Sequence, residues 1–262
     1  MLTELNTTYM KGTFGLSQYK WKWSFTKLDC WLSCQLKFKH IYLDKRAGEI
    51  KSDPMAIGSG IHYFIERYSL DNDLSLESLE NIYLKEARSQ SSLVDPDAPL
   101  EYKFLVKKYM ESGKVLTPKT HFSKKLTEEF FTIDCGNGVM CNGKTDITTE
   151  KDWVVDYKTS NKLYTRDDLT VYDSGKGMQL TIYAANYLQK FGELPKGVGF
   201  QLIMKKDGAV VNLGTNRTVK QIEEVKDKIV RIDGQMKGTK TFLKARTQYA
   251  CRWCDFKHEC GR

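Results

Sequence analysis

The chain has 262 residues, 41 Lys and Arg against 33 Asp and Glu, and a formal net charge of +8. Hydrophobic residues make up 40% and aromatic residues 12%, enough for a core, which excludes a chain disordered throughout. No run approaches the roughly 18 apolar residues of a membrane span, and Met1 to Phe14 lacks the apolar stretch of an export signal.

The expected setting is therefore cytoplasmic and reducing. There seven cysteines act as metal or cluster ligands, or as core residues, rather than as disulfides. The basic balance fits a nucleic-acid partner and equally a soluble surface.

Residues 1–22 read as a lead-in. Trp21 to Leu43 carries Leu28, Trp31, Leu32, Leu36, Phe38, Ile41 and Tyr42 at helical spacing, with Ser24 or Thr26 placed to cap it. Lysines and aromatics interleave here as Tyr19-Lys20-Trp21-Lys22-Trp23, then Lys27, Lys37 and Lys39. They fit a path for a single DNA strand, or a core-facing aromatic edge with solvated lysines.

Ala47 to Pro54 is a polar loop. Met55 to Leu70 predicts a helix with a stripe of Ile57, Ile61, Phe64, Ile65 and Tyr68, and two more helical patterns cover Leu74 to Arg88 and Pro99 to Met110. Phe122 to Asp134 is strand-like. The turn Gly136-Asn137-Gly138 then pairs Leu126–Asp134 with Val139–Thr148 as a hairpin.

Thr149 to Asp152 turns the chain into a short strand, Trp153 to Tyr157. A helix over Met178 to Phe191 follows, then a strand pair, Val198–Lys205 and Ala209–Leu213, around Asp207-Gly208. A charged amphipathic helix over Thr218 to Met236 leads to a cysteine-rich tail from Ala250. This order predicts an α/β fold with a mixed central sheet flanked by helices. We expect one domain over 1–262, in parts 1–45, 46–118, 119–215 and 216–262.

The segment from Cys141 to Lys158 holds the most chemistry. Asp156 and Lys158 are two apart on one strand and share a face. If that strand pairs with its predecessor, Asp146 and Asp156 converge on one hard divalent cation, Mg²⁺ or Mn²⁺. A lysine beside them can orient water or steady a phosphate, which is what metal-assisted phosphodiester hydrolysis needs. The apolar run Trp153-Val154-Val155 sets this pair apart from the other acid-x-lysine triplets, such as Glu49–Lys51 and Glu224–Lys226. A structural ion pair at a strand end is the competing reading.

Gly143-x-x-Asp146 followed by Asp156-Tyr157-Lys158 resembles the PD-(D/E)XK nuclease superfamily. Gln179-x-x-x-Tyr183 looks like the Gln-x-x-x-Tyr element of its RecB/AddB-like branch, and Gly58-Ser-Gly60-Ile-His62 through Glu66 resembles that branch's Gly…His…Glu helix. The resemblance implies a restriction-endonuclease-like core. It also implies a metal held by His62, Asp146, Asp156 and the Tyr157 carbonyl. By the same likeness Lys158 orients the attacking water or steadies the scissile phosphate, Gln179 holds that lysine or a DNA phosphate, and Tyr183 contacts the strand.

The tail Cys251-x-x-Cys254-x₅-Cys260 needs a fourth ligand. The residues alone allow a zinc site with His258, or a cluster completed by a distant cysteine. The segment Ser24-Phe-Thr26-Lys-Leu28 through Cys34-Gln-Leu-Lys-Phe38 resembles the N-terminal part of AddB-type and CRISPR-associated four-cysteine exonucleases. That likeness implies a 4Fe–4S cluster on Cys34, Cys251, Cys254 and Cys260, with Cys30 the rival N-terminal ligand, clasping the two ends of the chain. It also implies that Ser24 and Thr26 lie toward DNA.

The expected activity is a metal-dependent exonuclease on single-stranded DNA ends, in recombination, repair or CRISPR-type processing. Its expected partners are DNA and a recombination, helicase or CRISPR-adaptation protein, with no membrane. A nuclease-fold DNA-binding or assembly subunit is the alternative. No P-loop motif is present, so no motor is expected in this chain.

Overall fold

The computed structural model describes residues 21–46, 53–70, 97–245, 251 and 254–260. The helix expected over 74–88 lies outside them, as do Tyr19, Lys20 and most of the 47–54 loop. The strands are β1 (Lys22–Trp23), β2 (Thr120–His121), β3 (Lys124–Lys125), β4 (Thr127–Asp134), β5 (Met140–Thr148), β6 (Trp153–Ser160), β7 (Gly197–Met204) and β8 (Val210–Thr215). The helices are α1 (Phe25–Ser33), α2 (Gln35–Phe38), α3 (Asp53–Leu70), α4 (Ala98–Glu111), α5 (Arg166–Thr170), α6 (Gly175–Phe191) and α7 (Val219–Gly238). A π-helical turn, Lys39–Leu43, follows α2.

The central sheet runs β1-β5-β6-β7-β8, with β4 also paired to β5, while β2 and β3 form a separate ribbon. It is mixed: β6 and β7 are parallel, and β4–β5, β5–β6 and β7–β8 are antiparallel. A parallel pair needs a crossover, and α5 and α6 supply it. Adjacent Val154 and Val155 on β6 enter two different cores, as alternation along a strand requires. One core gathers α1, α6 and α7 around Trp23, Leu28, Leu180, Val198 and Ile229. The other gathers α3 and α4 around Ile57, Phe64, Tyr102, Ile147 and Ile203.

The sheet splits at one place. β5 meets β6 only at Ile147↔Val155 and Thr148↔Val154, and its other end pairs with β1 at Lys22↔Met140 and Trp23↔Cys141. Between those contacts β5 stands away from β6, and Asp146 is the first residue past the ladder.

The mainly helical stretch expected from Trp21 to Leu43 is helical from Phe25 on, with Ser24 as the cap expected, and is broken at Cys34. Lys22 and Trp23 form a strand, and α1 begins only after Ser24, whose Oγ accepts the Lys27 N–H at 3.3 Å. Cys34, in extended backbone, separates α1 from α2. Trp23 is fully buried and donates its indole N–H to Asp233 Oδ1 at 3.0 Å, so it belongs to the core and not to a strand-binding path. The helix α5 was not foreseen. A Thr165–Asp168 capping box starts it.

Arg217, buried, ties this crossover down. It donates to Thr181 Oγ1 at 2.7 Å, to the Leu169 carbonyl at 2.5 Å and to the Gly177 carbonyl at 3.0 Å. The start of α6, which presents Gln179, is thereby fixed to the β8–α7 junction.

The two ends of the chain meet through protein contacts. Leu36 N–H donates to the Leu243 carbonyl at 3.1 Å, and Leu243 N–H donates to Gln35 Oε1 at 3.1 Å. Arg46 pairs with Glu259 and lies 4.8 Å from the Phe256 ring centroid.

Candidate active site

The candidate site lies where β5 leaves β6. Carrying the β5–β6 register one residue past Ile147↔Val155 sets Asp146 opposite Asp156. Asp146 Oδ2 accepts the Tyr157 N–H at 2.8 Å, a donor left over where the ladder has ended. From α3, on the far side, His62 brings Nδ1 to 3.3 Å from the same oxygen. Asp156 and Lys158 share a face of β6 as expected, and Lys158 Nζ stands 2.5 Å from Asp156 Oδ2.

Gln179 and Tyr183, one turn apart on α6, both reach the other oxygen. Gln179 Nε2 donates to Asp156 Oδ1 at 3.0 Å, and the Tyr183 hydroxyl donates to it at 2.9 Å. Gln179 Nε2 also lies 2.9 Å from the Tyr183 hydroxyl. Two expectations change here. Gln179 holds the aspartate rather than the lysine. Tyr183 is buried against Asp156, because its hydroxyl finds an acceptor in the core instead of facing a strand.

Gly143 explains how Tyr183 is held. A Cβ at Gly143 would lie 2.4 Å from Phe131 Cζ, so only glycine leaves room for that ring. The Phe131 ring meets Tyr183 edge-on, with centroids 6.0 Å apart. The effect therefore passes from Gly143 through Phe131 and Tyr183 to Asp156. Gly143→Ala is expected to cost about 1–3 kcal/mol by overpacking and to lower the melting temperature by several degrees. An unchanged melting curve would refute this account.

Glu128 is a site residue that the sequence reading missed. His62, Glu128 and Asp146 each offer one atom, and the three atoms lie within 4.8 Å of one another. Glu128 stands opposite Asp146 in the β4–β5 register, has a left-handed φ of 50°, and pairs with Lys144. No local signal in the sequence separated it from Glu129. Adjacent acids on a strand point to opposite faces, and Glu129 pairs with Lys190 of α6 at 2.7 Å, which leaves Glu128 for the other face.

The electrostatics suit a cation. Burial pushes Asp146 up to about 8, and the Asp156 charge adds to this. Burial holds His62 down to about 4 against the pull of Asp156, so its contact with Asp146 is not an ion pair at neutral pH. Burial works to lower Lys158, yet Asp156 and Asp146 outweigh it and hold the ammonium above its ordinary value. A neutral imidazole beside two carboxylates is a fitting N,O donor set for Mg²⁺ or Mn²⁺.

The C-terminal cysteines lie in one neighbourhood without closing into a ligand set: among the described residues, the group placed to share an ion is His62, Glu128 and Asp146. The Cys260 thiol is raised by burial, with Cys34, Cys254 and Cys251 close enough to add to the shift and Lys244 opposing it. Burial pushes Cys30 up to about 11, with Lys37 opposing and Cys34 and Cys254 as contributing neighbours. Cys135 and Cys141 are buried on the β4–β5 hairpin, where they pack in the core. Thr26 is exposed on α1, and Ser24 is engaged as its cap.

Among solved structures, the chain is similar to a candidate exonuclease from Eubacterium rectale, with a TM-score of 0.61 and 14% identity over 99% of this chain and 92% of that one. At that identity the likeness speaks to the fold alone. SSO0001, at 15% identity over 86% of this chain and 94% of that one, has a TM-score of 0.38 and carries no argument. No curated protein matches. The mixed sheet flanked by helices has the restriction-endonuclease-like arrangement. The family model of the PD-(D/E)XK nuclease superfamily matches residues 22–261, and the chain belongs to that superfamily.

Proposed function

We propose that the chain is a divalent-metal-dependent deoxyribonuclease, acting as an exonuclease on single-stranded DNA ends. The observation that carries this reading is the meeting of His62, Glu128 and Asp146 beside the Asp156–Lys158 pair at the split between β5 and β6. His62, Asp146, Asp156 and the Tyr157 carbonyl hold the cation, with Glu128 joining them. Such a cation supplies Lewis-acid polarisation of the scissile phosphate.

The chain's own groups do the rest. Lys158, kept charged by two aspartates, steadies the phosphate and orients water, and its raised pKa argues against a role as general base. Gln179 and Tyr183 fix Asp156 so that its free oxygen faces the lysine. Ser24 and Thr26 lie along the DNA path. The protein works as one domain, in recombination, repair or CRISPR-type DNA processing.

The same proposal includes a 4Fe–4S cluster on Cys34, Cys251, Cys254 and Cys260. The Cys251-x-x-Cys254-x₅-Cys260 spacing and the resemblance of the Cys34 segment support it, and thiolates are the donors such a cluster takes. Cys34 is favoured over Cys30 because it stands between two helices, with Sγ 4.0 Å from the Leu243 carbonyl. Cys30 lies within α1 and packs against the core. Gln35, where the resembling families carry proline, gives its side-chain oxygen to Leu243. The departure thus adds a contact to the clasp.

The test is a paired cleavage assay. Wild type and Asp156→Ala, purified anaerobically, each meet end-labelled single-stranded, duplex and circular DNA with Mg²⁺, Mn²⁺ or chelator. The expected result is metal-dependent loss of linear single strands, reduced by about 10³ in the variant. Cutting of circles would move the reading to an endonuclease. No cleavage by wild type would leave a DNA-binding subunit.

A further inference from the structure

We propose that Phe130 and Lys144 form a stacking subsite for one nucleobase of the DNA strand, next to the reacting phosphate. This deepens the nuclease reading and rests on it. Phe130 is 80% exposed in the middle of β4. Its neighbours Phe131 and Ile133 are buried against the α6 side, so the strand already has its apolar face. The fold does not require an aromatic ring on the other face.

Position ties the ring to the chemistry. Phe130 is two residues from Glu128 and in register with Lys144, which is two residues from Asp146. The Lys144–Glu128 ion pair, the Lys144 ammonium over the Phe130 ring and the meeting of Glu128 with Asp146 and His62 place Phe130 and Lys144 beside the candidate cation site. Among the described residues, this part of the face is open, with Asn142 and Lys144 exposed beside Phe130.

Charge and chemistry select the occupant. Lys144 Nζ lies 5.3 Å from the Phe130 centroid and pairs with Glu128. A cation at one edge of an exposed ring suits a base on the ring and its phosphate on the ammonium. The surface is continuous with the metal cluster, so the base it takes belongs to the nucleotide flanking the cleaved bond. Stacking on a flat ring is tolerant of sequence, as an enzyme digesting an arbitrary end requires.

The experiment uses the full chain and two readouts. Fluorescence anisotropy with a labelled single-stranded oligonucleotide in chelator reports binding without cleavage, and steady-state kinetics in Mn²⁺ report KM and kcat. Phe130→Ala is expected to weaken binding and raise KM about 5- to 100-fold, with kcat within about threefold and the melting temperature unchanged. Phe130→Trp should restore binding, and Phe130→Leu, apolar without a stacking face, should not. An oligonucleotide with an abasic position at the cut should bind wild type as weakly as the intact strand binds Phe130→Ala.

Unchanged binding in Phe130→Ala, or full rescue by leucine, would overturn the subsite. A large loss of thermal stability would also overturn it, showing that the ring is covered by the protein itself. The nuclease reading fails separately: wild type would then cleave nothing, while the anisotropy measurement would still decide the role of Phe130.

Discussion

Replacing Asp146 by asparagine is expected to abolish metal-dependent cleavage, by about 10³ or more, and at the same time to stabilise the metal-free fold. Asparagine keeps an acceptor for the Tyr157 N–H and removes a buried charge that faces Asp156. Burial raises Asp146 from 3.8 to about 8. Below pH 4 the carboxyl is protonated in both folded and unfolded chains. Between pH 4 and 8 the unfolded chain ionises while the folded one keeps its proton, so wild type loses stability as pH rises, and the loss levels off above pH 8.

The variant lacks this proton, and its advantage grows over the same window. His62 titrates in both proteins and largely cancels. Excess Mn²⁺ should oppose this advantage, adding about 2.7 kcal/mol to wild type at a hundred times Kd. Thermal denaturation from pH 5 to 9, with Mn²⁺ and with chelator, checks both signs. A variant less stable than wild type at pH 9 without metal would contradict the assignment of Asp146 as a strained ligand.

The second large effect concerns the clasp. Cys254→Ser is expected to lose bound iron and to lower the melting temperature by about 10 °C, while the cleavage rate per folded molecule stays near wild type. A cross-link from Cys34 to Cys251 closes a loop of more than two hundred residues. In the loop-entropy picture that restricts the unfolded chain by about 5 kcal/mol, and each kcal/mol moves a chain of this size by about 2–4 °C. The contacts of Leu243 with Leu36 and Gln35, and of Arg46 with Glu259, persist without the cluster and keep the drop finite. Iron analysis and calorimetry decide it, with Cys30→Ser as the companion expected to retain iron. Loss of iron with an unchanged melting temperature would remove the structural role.

The sequence by itself determined the fold class and most elements, because periodicity and turn residues are local. The Gly136-Asn137-Gly138 turn, all at positive φ, set the β4–β5 hairpin, and the amphipathic pattern from Thr218 set α7. It also determined that Asp156 and Lys158 share a face, since strand alternation needs no partner.

Tertiary structure alone decided the rest. Where β5 parts from β6 depends on β1 capturing the other end of β5, a contact between residues more than a hundred positions apart. That split turns Asp146 toward His62, and the β4–β5 register brings in Glu128, which no local pattern distinguished from Glu129. Gln179 and Tyr183 were legible as neighbours on a helix, but their common acceptor on Asp156 follows from how α6 packs across β6. Short-range geometry names the groups a site can use. Long-range packing decides which of them share an oxygen, a proton or a cation, because only it sets the distances between strands and helices.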